Sequence, residues 1–225
     1  MAEETRSRTA TRERVLESAV HVFAEKGFEA ATIHEICERA DANIAAVNYY
    51  FGSKEKLYAE AWRTAFRRSV EAHPPEGGVP ADAPAEERLR GRIRAMVHRM
   101  ADEDNQAFLI AQREMVSPTA LLKEVRRECI RPLREQTQAL VRELIGPDAN
   151  DQTVIFCETS IVNQCMAVLR HRHHRTSGRS RGRAPRIRDL DAYAEHIARF
   201  SLAGLRAVRA SLPSDADRCG QGGAD

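Results

Sequence analysis

The sequence predicts an all-α protein in two parts, an N-terminal three-helix part that contains a helix-turn-helix and a larger C-terminal helical part. Three observations carry this. Apolar residues recur at three- and four-residue spacing through nearly the whole chain, with no alternating strand pattern. The stretch PPEGGVPADAP, closing at Pro84, is a Pro- and Gly-rich linker between the parts. Within residues 32–51, two short helix patterns stand back to back with only Asp41-Ala42-Asn43 between them.

The elements follow in order. After an arm expected to be flexible (1–10), a first helix spans about Thr11 to Lys26, with Val15, Ala19, Val22 and Phe23 inward and Gly27 as its stop. Thr32 is an N-cap, and Glu35 three residues on completes a capping-box pattern. Ile33, Ile36, Cys37 and Ala40 form the inner face of that second helix. Asn43 caps a third, roughly Ile44 to Phe51, which buries Ile44, Val47 and Phe51. Ala45, Ala46, Asn48, Tyr49 and Tyr50 are left outside. Gly52 stops this helix and Ser53 caps the next, Lys54 to about Glu71, with Leu57, Ala61, Ala65 and Phe66 inward.

Past the linker, helices are expected at about Ala85–Ala101, Asn105–Val116, Thr119–Ile145, Asn150–Arg170 and Leu190–Ser211. Pro132 should kink the third of these. The arginine-dense stretch 171–188 reads as a solvated basic loop rather than a metal site at His171, His173 and His174, and 213–225 as a disordered tail.

Composition sets outer bounds. The chain has 225 residues, 42% of them hydrophobic, and a net charge of only +2, so charge alone does not diagnose nucleic-acid binding. There is no run of eighteen apolar residues and no secretory signal, and the five cysteines are scattered, which reads as a cytoplasmic protein with reduced thiols and no membrane association. No P-loop, GxGxxG after a strand, GxSxG, HExxH or CxxC pair occurs, so neither an enzyme nor a cofactor is expected.

Two helices joined by so short a break cross steeply, and in that motif the second helix enters the major groove. Alanines at its start let it sit deep and touch thymine methyls. The tyrosines and Lys54 are long donors suited to phosphate, which fixes register rather than sequence. The alternative is a helical protein-interaction module with no DNA role.

Residues 11–58 resemble the DNA-binding domain of the tetracycline-repressor (TetR/AcrR) family of bacterial regulators. The resemblance is carried by Arg14, Ala19, Phe23, Gly27, Phe28, Thr32, Ile36, Ala40, Val47, Tyr49, Phe51, Lys54, Leu57 and Tyr58. NIAAVNYYFGSKEKLY and the tail IARFSLAGLRAV also resemble the CecR-like subgroup. The resemblance implies that Thr32 and Lys54 hold phosphates from opposite sides while Ala45, Ala46, Asn48, Tyr49 and Tyr50 face the groove. Most members carry Tyr at Asn48 and His at Tyr50, so base preference there does not carry over.

The domains expected are then a helix-turn-helix domain with its linking helix (11–72) and a ligand-binding and dimerisation domain (85–212). The implied function is a dimeric repressor that binds a palindromic operator in double-stranded DNA and is released by an unknown small-molecule inducer. Pocket candidates are the polar or soft residues on inward faces: Gln112, Arg113, Met115, Cys129, Gln136, Cys157, Glu158, Gln164 and Cys165. The last two helices, with small residues among apolar ones, are expected to form the homodimer interface through Ile161, Cys165, Leu169, Ile197, Phe200 and Gly204.

Overall fold

The computed structural model describes the backbone of residues 2–176 and 187–212 and the side chains of 7–169 and 187–212. Among the described residues every regular element is helical: α1 (Ala2–Ala30), α2 (Ile33–Arg39), α3 (Ile44–Tyr50), α4 (Lys54–Ala72), α5 (Ala85–Ala101), α6 (Gln106–Val116), α7 (Lys123–Ile145), α8 (Asp151–Thr176) and α9 (Leu190–Ser211). The helices form two compact units, residues 1–72 with 102–131, and 73–101 with 132–225. The tail beyond 212, the loop 177–186 and the side chains of His171, His173 and His174 lie outside the described residues, although α8 itself runs past its expected end near Arg170.

In the first unit, α1 reaches back to Ala2, across the stretch expected to be an arm. It breaks at Gly27, where φ is 77°, a conformation that disfavours any residue with a Cβ. The core gathers Val15, Val22 and Phe23 of α1, Ile36 of α2, Val47 of α3 and Leu57, Tyr58, Ala61 and Trp62 of α4. Ile110 of α6 and Val125 of α7 join them, so α6 and the start of α7 belong to this core although the chain reaches them after the linker. The Trp62 indole N–H donates to the carbonyl of Ala107 at 3.0 Å, and its ring stacks on Phe66. One expectation is corrected here: Ile44 is 48% exposed, not inward. α3 is only seven residues long, and Val47 alone of them is buried.

The second unit packs α5 against α8 and α9. Leu89, Ile93 and Val97 meet Val141, Ile145, Val154, Ile161, Cys165, Ile197 and Leu202 in one core. Burying each Leu, Ile or Val side chain is worth about 1.5–3 kcal/mol. Ion pairs such as Arg88–Glu143, Arg206–Glu86 and Arg90–Glu195 rim it and add little, because water screens them. α7 continues through Pro132 as a single helix. Of the residues expected in a subunit interface, Ile161, Cys165, Leu169 and Ile197 are buried in this unit itself. Phe200 (65% exposed) and Gly204 face outward, as do Phe156 and Met166.

The Pro- and Gly-rich stretch is not a loose tether. Pro75 is buried, Gly77 N–H bonds the Pro74 carbonyl at 3.0 Å, and Arg94 donates to the Gly77 carbonyl at 3.0 Å. Gly77 (φ 60°) presses backbone to backbone on Gly91 of α5, so a Cβ on it would stand 2.1 Å from the Gly91 carbonyl oxygen. Gly78 has φ 77° but open space around it. Gly77→Ala is therefore expected to cost clash and backbone strain together, about 3 kcal/mol, and Gly78→Ala only the strain, about 1 kcal/mol. Urea unfolding midpoints of the two variants measure the difference.

Candidate nucleic-acid interface

The motif is built by its caps. Thr32 Oγ1 accepts the Glu35 N–H at 3.1 Å, Asn43 Oδ1 the Ala45 N–H at 2.9 Å, and Ser53 Oγ the Lys56 N–H at 3.3 Å. Each such cap is worth about 1 kcal/mol. The Glu35 carboxylate, expected to reach back toward Thr32, instead pairs with Lys26 at 2.6 Å. The turn between α2 and α3 is held by Arg14, whose guanidinium donates to the carbonyls of Ala40 (3.1 Å) and Asp41 (3.4 Å). Asp41 occupies the left-handed region (φ 49°), which short polar residues tolerate. The clamp makes Arg14 a structural residue, a role that helical periodicity does not reveal.

On this frame α3 shows its polar side. Thr32, Ala45 and Asn48 are exposed, Ala46 and Tyr50 half-buried, and Tyr49 is 70% exposed. The Tyr49 and Tyr50 rings meet edge to face at 4.9 Å. Lys54 holds its ammonium 4.4 Å above the Phe28 ring. All seven residues expected at a DNA interface thus belong to one unit and keep at least part of their surface accessible.

The same unit holds a buried acid. Glu114 of α6 is buried and accepts hydrogen bonds from the Tyr58 hydroxyl (3.0 Å), the Thr119 N–H (2.8 Å) and the Thr119 hydroxyl (2.8 Å). Burial and the adjacent carboxylate hold the Tyr58 phenol well above its ordinary range. The neighbouring Arg113 points elsewhere and donates to the Glu25 carbonyl at 2.7 Å.

The nine pocket candidates divide between the two units. Gln112, Arg113, Met115 and Cys129 belong to the first unit, the other five to the second. Met115 is 75% exposed. Gln136 is exposed and accepts from Arg92 at 2.9 Å, and Gln164 bonds the Ser160 carbonyl in its own helix. Glu158 is 1% exposed and accepts both hydrogen bonds of the Arg134 fork, at 3.1 and 2.9 Å. Burial raises the thiol pKa of Cys37, Cys129 and Cys157 and pushes that of Cys165 up to about 12. A groove of about 490 Å³ in the second unit is walled by Glu87, Arg90, Arg94, Asp191 and Glu195, and none of the nine lines it. Among the described residues no three His, Cys, Asp or Glu side chains are grouped to hold a metal ion, and no helix is long and apolar enough to cross a membrane.

A short capped helix that turns alanine, amide and phenols outward from a buried frame, with a cation at the next helix start, is the surface of a helix-turn-helix DNA-binding protein. Comparison with known proteins agrees. Residues 15–61 match the model of the bacterial regulatory proteins of the tetR family. Residues 85–205 match the C-terminal domain of the HTH-type transcriptional dual regulator CecR. CecR of Shigella flexneri is 31% identical over 167 residues, which cover 69% of this chain and 74% of that protein. The transcriptional repressor NicS of Pseudomonas putida is 46% identical over 48 residues, 21% of this chain and 23% of its own. Among solved structures, a TetR-like regulator from Rhodococcus sp. RHA1 superposes with TM-score 0.62 at 20% identity, covering 87% of this chain and 96% of that one. The fatty acid degradation regulator FadR from Bacillus halodurans does so with TM-score 0.64 at 18% identity, again over 87% and 96%. The chain belongs to the TetR family of bacterial transcriptional regulators, with a C-terminal part of the CecR type. That membership makes it a DNA-binding regulator rather than an enzyme, and it sets aside the reading as an interaction module without a DNA role.

Tyr58→Phe keeps the ring's edge contact with Phe23 and removes one donor from the buried carboxylate. It is expected to destabilise the first unit by roughly 1.5–3 kcal/mol, the range for a hydrogen bond to a charged group. Chemical denaturation of the full chain, followed by tryptophan fluorescence, measures the loss.

Proposed function

We propose that this regulator is a ligand-responsive repressor that binds a palindromic operator as a homodimer and leaves it when a small-molecule inducer binds. The observation that carries the DNA-contact residues is the outward row of α3 between two accessible flanks, Thr32 and Lys54. In this reading Ala45, Ala46, Asn48, Tyr49 and Tyr50 face the major groove, and Thr32 and Lys54 hold phosphates. The repressor descriptions of NicS and of AcnR from Corynebacterium efficiens, both similar to this chain's N-terminal part, support repression. Lys54→Ala should weaken operator binding and lower the slope of log affinity against log salt by about one unit, with the fold intact. Tyr49→Phe should weaken binding too. Unchanged affinity and slope for Lys54→Ala would remove it from the interface.

Dimerisation is proposed through the outer faces of α8 and α9, where Phe156, Met166 and Phe200 are exposed large apolar residues. A palindromic operator matches the two-fold axis of such a dimer. Phe200→Asp and Gly204→Arg are expected to give folded monomers with much weaker operator binding, since both positions are exposed and a Gly204 Cβ meets nothing within 4 Å. Sedimentation of the wild type as a monomer at micromolar concentration is the result that sinks the dimer.

For release, the proposal is that inducer held among the middle helices tilts α4 through its packing with α6, and so shifts the spacing of the two reading helices. A ligand moves this equilibrium only by its preference for one conformation, and half-sites demand a separation of about 34–36 Å or a multiple of it. Trp62, the single tryptophan, reports on α4 from its bond to the Ala107 carbonyl. Inducer should change its emission, and operator DNA should oppose the change, because coupling is reciprocal. DNA release with an unchanged distance between spin labels on the two reading helices would point to competition or altered mobility instead.

A further inference from the structure

Arg12 precedes the stretch that matches the family's DNA-binding model, residues 15–61, yet it repeats the geometry of Lys54. Its guanidinium carbon lies 5.2 Å from the centroid of the Phe51 ring, and Phe51 is the C-cap of α3. The Lys54 ammonium lies 4.4 Å over Phe28 in the same manner. A ring face orients a cation without consuming its N–H donors. Arg12 pairs with Glu60, which holds it loosely. That pair is 3.8 Å apart, while the other Glu60 oxygen bonds Arg63 at 2.6 Å. Arg12 remains 42% exposed at its side chain.

Arg8 is exposed and lies four residues earlier, hence on the same face of α1. The helix is continuous from Ala2, and Thr11 Oγ1 donates to the Ser7 carbonyl at 3.1 Å, so the two arginines project from one rod rather than from a loose arm. Arg14, on the same helix, serves the fold: its guanidinium donates to the carbonyls of Ala40 and Asp41.

We propose that Arg8 and Arg12 hold the phosphodiester backbone of operator DNA next to the half-site that α3 reads, and so extend the contact beyond the helix-turn-helix. This rests on the DNA-reading role of α3. The ligand is the sugar–phosphate backbone, recognised by charge and by guanidinium donors, so these contacts add affinity and register and carry no sequence preference.

The test uses the full-length protein and two duplexes, a genomic fragment recovered by selection with the wild type and a random-sequence duplex, titrated between about 50 and 200 mM KCl. Arg8→Ala and Arg12→Met should each lower the salt slope by about one. Across that fourfold rise in salt, each variant then loses roughly fourfold less affinity than the wild type. At low salt both should weaken the two duplexes by the same factor. Arg12→Met keeps an unbranched stem over Phe51, so its unfolding midpoint should match the wild type, and Arg12→Lys should restore most of the slope. If Arg12→Met and Arg8→Ala keep wild-type affinity and slope while Lys54→Ala loses them, the arginines are structural and the proposal fails on its own. If the wild type itself shows no salt-dependent binding, the DNA reading of α3 fails and takes the proposal with it.

Discussion

Glu114 brings a carboxylate into the apolar interior of the first unit, and a charge there is tolerable only when its lone pairs are satisfied. Tyr58 and Thr119 supply the donors. The hydroxyl fixes where the Tyr58 ring lies, 4.8 Å from Phe23 and 5.1 Å from Phe28 by centroid. Phe28 in turn carries Lys54 on its face. Three contacts thus connect a buried acid on α6 to the half-buried cation at the start of α4. The geometry at the start of α4 depends on a helix that the chain reaches more than fifty residues after the motif.

The same dependence gives the first unit its composition. α6 and the opening of α7 fill the core beside α1 and α4, so what reads as a three-helix motif in sequence is, among the described residues, a body of six helices in space. The family model for the C-terminal part starts at residue 85 and therefore includes α6. Sequence kinship follows the order of the chain, whereas packing follows whichever apolar face is within reach. A signal arriving at α6 would meet α4 inside one shared core, through the Trp62–Ala107 bond as well as the acid.

Much of this was legible in the sequence, for local reasons. Caps at Thr32, Asn43 and Ser53 and stops at Gly27 and Gly52 are short-range chemistry, and all five stand where the residue types put them. Helical periodicity located α5 and α9 to the residue. It failed at Ile44, because a seven-residue helix anchored by Val47 has no second turn with which to bury its first residue. It had no means of seeing Glu114, whose partner on α4 is 56 residues away. Of the residues it assigned to a homodimer interface on α8 and α9, Ile161, Cys165, Leu169 and Ile197 are buried in the second unit.

The contact between Gly77 and Gly91 ties together two positions that are fourteen residues apart in the chain. Neither tolerates a side chain while the other strand of backbone stays where it is, since a Cβ on Gly91 would stand 2.6 Å from the Glu76 carbonyl oxygen. Sequence drift at this spot is consequently coupled, and a lone change at either glycine has to wait for the turn to lift. The stretch that most resembles an adjustable tether is therefore a poor place to insert a tag or lengthen the chain.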